Sequence, residues 1–493
     1  MEKSLHAIAV AAVLIAPALA GPQTVPEVEV RASQDPSGIL ATVNINGHTR
    51  TDGAFFQNLG TNGRSCATCH VAGQAFSFTA DAARQRFERT HGLDPLFAPV
   101  DGANCANVAS GDRPGHSLIL NSGLIRIALP VPDPSEFTIT VVHDPYGCAL
   151  QLDPATNKTM ISVYRRPLPT TNLGFLSTVM FDGRETIAPL SDSATFLANL
   201  TASLKHQAID ATTGHAQAAN SPSDAQVADI VGFELGLFTA QWRDRSAGVL
   251  SAGGAQGGPW LLSKEVYYPG VNDSLGGDPS GVLFDTNAMT LFGAWAAPVE
   301  DDRQGSGELI DARRAIAAGE TLFNSAPMQI TNVRGLNDNA AIGSPDTFVG
   351  HCTSCHDTPN IGNHSLPLPL DIGTSHAVLA SVETDPAIAA GLAQLGIPDL
   401  PVFRVSGCPS PFAATEPESF YTSDPGKAIL TGKCSDLNRT KGPVLRGLAA
   451  RAPYFHNGAA ANLTQLVNFY NERFVMHLSD REKAELVAFL NSL

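Results

Sequence analysis

Apolar residues recur at helical spacing in several segments of this chain, and two of these segments begin with a capping signal. Ser223 is followed three residues later by Gln226, and Ser479 is followed by Glu482 at the same distance. A serine followed in this way by glutamine or glutamate is typical of the first turn of a helix. In the segment after Ser223, the apolar residues on one helical face are Val227, Ile230, Val231 and Phe238. In the segment after Ser479, they are Leu486, Val487, Leu490 and Leu493. The pattern predicts amphipathic helices over residues 223–238 and 479–493.

Two further segments follow the helical pattern, and one alternates like a strand. Residues 311–325 place Ile316, Leu322 and Phe323 on an apolar side, and a helix is expected from about Asn462. Residues 138–143 alternate best between apolar and polar positions, and we expect this strand to lie in an insertion. Because strand signals are few, the sequence predicts a mainly α fold.

The same order of sequence features occurs twice in the chain. The motif Cys-x-x-Cys-His occurs at residues 66–70 and again at 352–356, with similar surroundings, and each copy ends in one of the two capped helices. We therefore predict two helical domains of one type, residues 21–245 and residues 306–493. Residues 246–305 are rich in glycine, serine and proline, which suits a linker that packs across both domains.

The first twenty residues have the pattern of a targeting segment. Lys3 precedes an apolar run that ends in small residues, which predicts a secretory signal cleaved before Gly21. An uncleaved anchor is the alternative, and no later stretch approaches the roughly 18 apolar residues of a membrane span. The composition is globular, with 43% hydrophobic residues, and a formal charge of −16 argues against nucleic acid and anionic membranes as partners.

Eight cysteines divide into two sets of four. Four belong to the Cys-x-x-Cys-His motifs, and the others fall into two sequence-local pairs. In an oxidising compartment, proximity favours the pairings Cys105–Cys148 and Cys408–Cys434, one of three ways to pair four cysteines. These two disulfides would have a structural, stabilising role.

The spacing of the two motifs suits a covalently attached haem. On a helical turn the two cysteines share a face, so that both form thioethers with one haem while the adjacent histidine reaches the iron. A zinc site would need four protein ligands, and each motif supplies at most three. A redox dithiol would be expected after a strand, with one motif per domain. The predicted haem-binding residues are Cys66, Cys69 and His70, and Cys352, Cys355 and His356.

Five pieces of sequence resemble the bacterial dihaem cytochrome c peroxidase and MauG family, and they come in the family's order. They are FFQNLGTNGRSCATCH, VMFDGRE, CTSCHDTPNIGNHS, TSDPGKA and APYFHNGAAANLTQLVNFYN. The resemblance implies two cytochrome-c-like domains with the two haems near the domain interface, and the predicted signal peptide indicates a periplasmic location. It assigns peroxide chemistry to the amino-terminal haem and electron transfer to the carboxy-terminal haem.

The chain departs from the family in several places. The stretch from His70 to Asp182 and the stretch before residue 442 are enlarged, and each contains one predicted disulfide. Phe181 stands where the family commonly has a tryptophan relay between the haems. A phenyl ring is harder to oxidise than an indole, so hopping through this position is in doubt, and a core role for Phe181 is equally compatible.

The residues over the first haem also differ. The family places a glutamine and a glutamate there, which correspond to Gln207 and His215. A histidine moves a peroxide proton as well as a carboxylate does, although His215 has two other possible roles, iron ligand and solvated helix residue. Arg166 stands at the position of the family's calcium-binding asparagine, and the region of Arg451 and Pro453 lacks the family's threonine. A cation beside Arg166 would be repelled, so we expect no calcium.

The second axial ligand of the carboxy-terminal haem lies, by alignment with the family, seventeen residues after Pro453, at Tyr470. This position is methionine in the peroxidases and tyrosine in MauG. Met476 is the rival ligand, and a plain core tyrosine is the third alternative. His364 lies too near His356 in the chain to reach the other face.

Three functions remain open at this point. The first is an exported peroxidase that reduces hydrogen peroxide with electrons from a small redox protein, a cytochrome c or a cupredoxin. The second is a MauG-like enzyme that oxidises a protein substrate. The third is a non-enzymatic dihaem electron carrier. A predicted pair for proton transfer, Gln207 and His215, favours the two enzymes.

Overall fold

The computed structural model describes residues 30–47, 51–297, 306–377, 384–409 and 419–493, so the predicted signal segment lies outside the described residues. The helices are α1 (Ala80–Thr90), α2 (Ser117–Ser122), α3 (Phe196–Gly214), α4 (Asp224–Gly236), α5 (Pro259–Leu262), α6 (Gly307–Ser325), α7 (Pro386–Leu392), α8 (Ala428–Thr431), α9 (Leu463–Arg473) and α10 (Asp480–Asn491). The strands are β1 (Val30–Gln34), β2 (Gly38–Asn44), β3 (Ile125–Pro130), β4 (Thr138–His143), β5 (Leu150–Leu152), β6 (Thr159–Arg165), β7 (Leu237–Asp244), β8 (Gly248–Val249), β9 (Met328–Ile330), β10 (Phe348–Gly350), β11 (Val402–Ser406) and β12 (Ser419–Thr422).

The fold is mixed α/β, and the prediction of a mainly α protein is wrong. Among the described residues, helix accounts for 32% and strand for 15%, the latter in four antiparallel sheets. The strand orders are β1-β2-β7-β8, β10-β9, β12-β11-β4 and β3-β6-β5. Most of these strands are short or buried on both sides, so their sequences lack the long alternation of apolar and polar residues that identifies a strand.

The helices predicted from capping signals are confirmed. Ser223 caps α4 and Ser479 caps α10, each with the reciprocal hydrogen bonds of a capping box. Asn462 caps α9 through its side chain, which accepts from the Gln465 N–H at 2.9 Å. In α6, Ile316 and Phe323 are buried as the pattern predicts.

The helix predicted over residues 223–238 ends two residues early. It stops at Gly236, and Phe238 lies in β7 next to β2, opposite Val43. The reason is the close approach of β2: a Cβ atom at Gly236 would lie 2.3 Å from Oδ1 of the buried Asn44. Only glycine fits at this contact, and the tertiary pairing with β2 overrides the helical pattern beyond it.

The two enlarged stretches of the chain pair with each other. The strand predicted at residues 138–143 is present as β4, and it pairs with β11 of the second stretch. Phe403 of β11 is fully buried in one cluster with Ile161 and Val163 of the first stretch. The structure joins Cys105 to Cys148 and Cys408 to Cys434, with Cα–Cα distances of 6.0 and 5.3 Å. The insertions therefore form one substructure.

The described part of the predicted linker packs against both halves of the molecule. The Tyr267 ring lies 5.2 Å from that of Phe196 in α3, whereas Phe292 contacts Phe489 of α10, with ring centroids 6.1 Å apart. Within the described ranges, no helix has the length and apolar character needed to cross a bilayer.

Arg166 joins the amino-terminal half to the carboxy-terminal half. Its guanidinium group is buried and donates to the carbonyl oxygens of Gly123 at 2.8 Å and Phe78 at 2.5 Å. It also donates to the carbonyl of Arg451 at 3.1 Å, on the other half. The backbone N–H of Arg166 donates to the His456 carbonyl at 2.6 Å, which adds a second link.

Candidate functional site

The two Cys-x-x-Cys-His motifs adopt the same local conformation. Each begins with a single 3₁₀ turn, Cys66–Thr68 in the first and Cys352–Ser354 in the second. The N–H of His70 donates to the Cys66 carbonyl at 3.0 Å, and that of His356 donates to the Cys352 carbonyl at 3.0 Å. A threonine or serine hydroxyl three residues into each turn accepts from the backbone N–H before the first cysteine. Both motifs therefore fold into the same type of turn.

The four motif cysteines are thiols of low acidity. None forms a disulfide, and burial raises the pKa of Cys69 to about 11 and those of Cys66, Cys352 and Cys355 to about 12. A redox dithiol or a zinc site needs the thiolate, which a lowered pKa favours. In the part of the chain that the structure describes, no cluster of potential metal ligands includes these cysteines. Their surroundings suit a thioether better than either alternative.

Each motif histidine is oriented by a backbone carbonyl. His70 Nδ1–H donates to the Phe76 carbonyl at 2.9 Å, and His356 Nδ1–H donates to the Gly362 carbonyl at 2.7 Å. Burial lowers the pKa of both imidazoles to about 4, so both are neutral at pH 7. A neutral imidazole whose Nδ1–H is engaged in this way presents the Nε2 lone pair to a metal.

The first cavity contains the amino-terminal motif and one face of α3. Gln207 and His215 line this cavity together with Cys66, Cys69 and His70. Between Gln207 and His215, the helix presents to the cavity only small side chains, which are Ala208, Ala211 and Thr212. Small residues on this face leave room for a flat group to lie against the helix. The structure thus brings all predicted residues of the first site together.

A buried carboxylate and a buried arginine hold His215. His215 Nδ1 forms a hydrogen bond with the carboxylate of Asp101, and Asp101 also pairs with Arg64. Arg64 in turn donates to the His215 carbonyl at 3.1 Å. Burial alone would raise the pKa of Asp101, but His215 and Arg64 lower it, so the carboxylate is ionised. Sequence reasoning missed Asp101, because it lies 114 residues from His215 and no local pattern marks it.

Glu234 is a second carboxyl group in the first cavity, and it has no charged partner there. Its side chain is buried, and burial raises its pKa to about 8. Its Oε2 atom has no hydrogen-bond partner among the described residues. A signal existed in the sequence, since Glu234 follows Val227, Ile230 and Val231 on the apolar face of α4. A carboxyl group on such a face stays protonated near neutral pH.

The second cavity contains the carboxy-terminal motif and both predicted axial ligands. Tyr470 and Met476 line it together with Cys352, Cys355 and His356. Burial and the nearby cysteines raise the pKa of Tyr470. Phe181, His364 and His456 also line this cavity, and the ring of Phe181 lies 6.1 Å from that of His456.

The two cavities share one wall, and that wall is cationic. The residues that line both cavities are Pro167, Leu168, Pro169, Lys441, Pro443 and Arg451. Burial lowers the pKa of Lys441 to about 7 and that of Arg451 to about 10. Arg446, which lines the first cavity, leaves Nε and Nη1 without partners, and Arg451 leaves Nε without one. Buried cations with unused donors fit the two carboxylates that a haem carries.

Comparison with known proteins supports a relationship to a haem-dependent class. The chain matches no family model. A stretch of 154 residues, 30% of this chain, is 29% identical to cytochrome-c peroxidase IdrP2 of Denitromonas iodatirespirans. The match covers 37% of that protein's length, little more than a third. This distant similarity supports a relationship to cytochrome c peroxidases, and it implies a haem cofactor.

Proposed function

We propose that this protein is an exported dihaem c-type oxidoreductase that reduces hydrogen peroxide with electrons from a small redox protein, a cytochrome c or a cupredoxin. The observation that carries the proposal is the first cavity, where His70 and the pair Gln207 and His215 line one space. The repeated motif turn and the distant similarity to a cytochrome c peroxidase support it.

The chain's own residues would hold two haems. Cys66 and Cys69 anchor one and Cys352 and Cys355 the other, while His70 and His356 bind iron through Nε2. Lys441 and Arg451 of the shared wall, together with Arg446 of the first cavity, would balance the haem carboxylates. A bound haem supplies an iron that exchanges electrons with peroxide or with another redox centre.

Proton transfer falls to the residues on α3. Because Asp101 engages Nδ1 of His215, Nε2 is the ring nitrogen that remains to exchange a proton with a molecule in the cavity. The Gln207 side chain lines the same cavity, where its amide can orient peroxide. Asp101 acts through His215 and is a positioning residue.

Carbon monoxide binding and a peroxidase assay test this proposal. We expect the reduced protein to bind carbon monoxide and the enzyme to oxidise a reduced small cytochrome steadily when peroxide is added. Absence of carbon monoxide binding would leave only an electron carrier. Carbon monoxide binding without steady cytochrome oxidation would favour a MauG-like enzyme that oxidises a protein substrate.

The MauG-like alternative rests on Tyr470, which lines the second cavity with the motif cysteines and His356. A tyrosinate ligand stabilises oxidised iron and favours a low potential. We expect Tyr470→Phe to change the absorbance and paramagnetic resonance spectra of the ferric second haem, and Met476→Leu to leave them unchanged. The reverse result would assign the ligand to Met476 and strengthen the peroxidase proposal.

A further inference from the structure

A loop of the predicted linker packs against the second motif and brings three metal-binding side chains together. This 268–278 loop carries Asp273, while Asp357 directly follows His356 and His364 lies seven residues further on. All three side chains are buried, with 1% of Asp273, 0% of Asp357 and 4% of His364 exposed. Each offers one ligand atom, and these atoms lie within 4.8 Å of one another.

Two of the three ligand atoms are not otherwise engaged in hydrogen bonds. Asp357 Oδ2 and His364 Nδ1 are buried without a hydrogen-bond partner, and they lie 3.1 Å apart. The remaining carboxylate contacts hold the ligands in place: Asp357 Oδ1 accepts from the Ser365 N–H at 2.7 Å, and Asp273 Oδ2 accepts from the Gly277 N–H at 2.6 Å. Oriented ligands with free atoms that converge are the arrangement found around bound metal ions.

The negative charge of the two carboxylates in this cluster also favours a bound cation. Two carboxylates and one imidazole are removed from water together, and in the described ranges neither carboxylate forms an ion pair with a lysine or arginine. His364 Nδ1 lies 3.1 Å from Asp357 Oδ2 and can balance at most one of the two negative charges, and burying the other without a partner is costly. A divalent ion would neutralise both carboxylates at once.

We propose that Asp273, Asp357 and His364 bind one divalent metal ion of the zinc and manganese type. An imidazole nitrogen combined with carboxylate oxygens suits these ions, whereas calcium and magnesium prefer oxygen ligands alone. The site belongs to the protein chain alone, so it does not depend on the proposed peroxidase function.

The ion would tie the 268–278 loop to the turn that carries His356. The loop already contacts this turn through Ser274 Oγ, which donates to the Ser354 carbonyl at 2.6 Å. Asn272 Nδ2 donates to the Asp357 carbonyl at 3.0 Å. A metal ion between Asp273 and Asp357 would add a third and stronger link, and it would fix the segment that follows His356.

The test uses the mature holoprotein after treatment with a chelator and dialysis. We titrate it calorimetrically with Zn²⁺, titrate a parallel sample with Mn²⁺, and count metals by elemental analysis. We expect one saturable equivalent in addition to haem iron, and a zinc absorption-edge spectrum with only nitrogen and oxygen ligands. Absence of saturable binding of both ions would overturn the proposal, as would sulfur in the coordination sphere.

Variants locate the ion. Asp273→Asn should abolish the bound equivalent and the rise in melting temperature that Zn²⁺ gives the unaltered protein, and His364→Gln serves if the first variant does not fold. The matched control is Asp210→Asn in the partly exposed Glu185–His206–Asp210 cluster, the other described group with this geometry. Loss of zinc in the control, with retention in both test variants, would place the ion at the surface and refute the buried site.

Discussion

The carboxylate of Asp101 decides which nitrogen of His215 is available for proton transfer. At the scale of single residues, this contact is the most consequential one in the first cavity, since it selects the tautomer and fixes the ring. Arg64 keeps the carboxylate ionised and also holds the end of α3 through the His215 carbonyl. The three residues therefore act as one unit.

We expect His215→Ala to slow the reaction with peroxide by about 10²–10⁴-fold, the usual contribution of a positioned acid or base. Asp101→Asn should slow it less and shift its pH profile, because the imidazole remains but is no longer held by a charge. Stopped-flow absorbance measures both rates. The control is His206→Ala on the same helix, whose imidazole pairs with Glu185 instead. Equal rates for His215→Ala and the control would remove His215 from the chemistry.

Glu234 should make the stability of the protein depend on pH. Its pKa rises from 4.5 to about 8 in the folded protein, so the folded state keeps a proton that the unfolded state loses above pH 4.5. Its contribution is therefore present at low pH and is lost as the pH rises towards 8. We expect Glu234→Gln to exceed the unaltered protein in unfolding free energy by an amount that grows between pH 5 and 8, to on the order of a few kcal/mol.

Urea unfolding followed by circular dichroism at several pH values measures this difference. Glu472→Gln, at an exposed position of α9, is the control and should give a difference that does not change with pH. A Glu234→Gln curve parallel to that of the unaltered protein would show that Glu234 is ionised in the folded state.

Site residues that lie close together in the sequence could be predicted from local patterns. Site residues that come together only through tertiary structure could not. Cys66, Cys69 and His70 occupy one turn, and Gln207 and His215 occupy one helix face, so short patterns place them. Asp101 reaches His215 across 114 residues. A contact of this kind depends on the whole tertiary arrangement.

At the scale of elements, helices with caps were predicted well and strands were not. Ser223 and Ser479 mark helix starts through contacts within one turn. Strand β7 follows α4 without a break, and its first two residues, Leu237 and Phe238, continue the apolar character of the helix. What makes it a strand is its pairing with β2, nearly 200 residues earlier in the chain. The pattern around Phe238 fits either element, and tertiary contact decides.

Strand β11 should carry much of the stability of the joined insertions. Phe403 is fully buried between the two enlarged stretches, and its neighbour Arg404 points to solvent. We expect Phe403→Ala to lower the unfolding free energy by about 3–5 kcal/mol, and Arg404→Ala to change it by about 0.5 kcal/mol or less. Urea unfolding of both variants measures this. Similar small losses in both would mean that the insertions do not share a core.

At the scale of the whole molecule, the sequence predicts two enlarged stretches with one disulfide each, and it does not indicate that they contact each other. The structure joins them through the pairing of β4 with β11, across about 260 residues of sequence. The sequences of β4 and β11 do not indicate that these strands pair, nor in which register. Strands so far apart in the chain share no local pattern from which their pairing could be predicted. The local signals in these stretches were the cysteine pair of each one and the alternation of residues 138–143.

Two covalent haems should be present in the mature protein. Intact-mass spectrometry should show two haem additions and the loss of residues 1–20, since both motifs adopt the same turn. A Cys352→Ala, Cys355→Ala double variant should retain one haem. One addition or none in the unaltered protein would contradict the proposed cofactor content.

Arg166 makes the joint between the two halves permanent. Its charge is held by the carbonyls of Phe78 and Gly123 on one side and of Arg451 on the other. The guanidinium group of Arg166 is covalently part of the chain. Unlike a bound ion, it cannot dissociate on dilution or be removed by a competing ligand. These contacts therefore help to set the two cavities side by side as the chain folds.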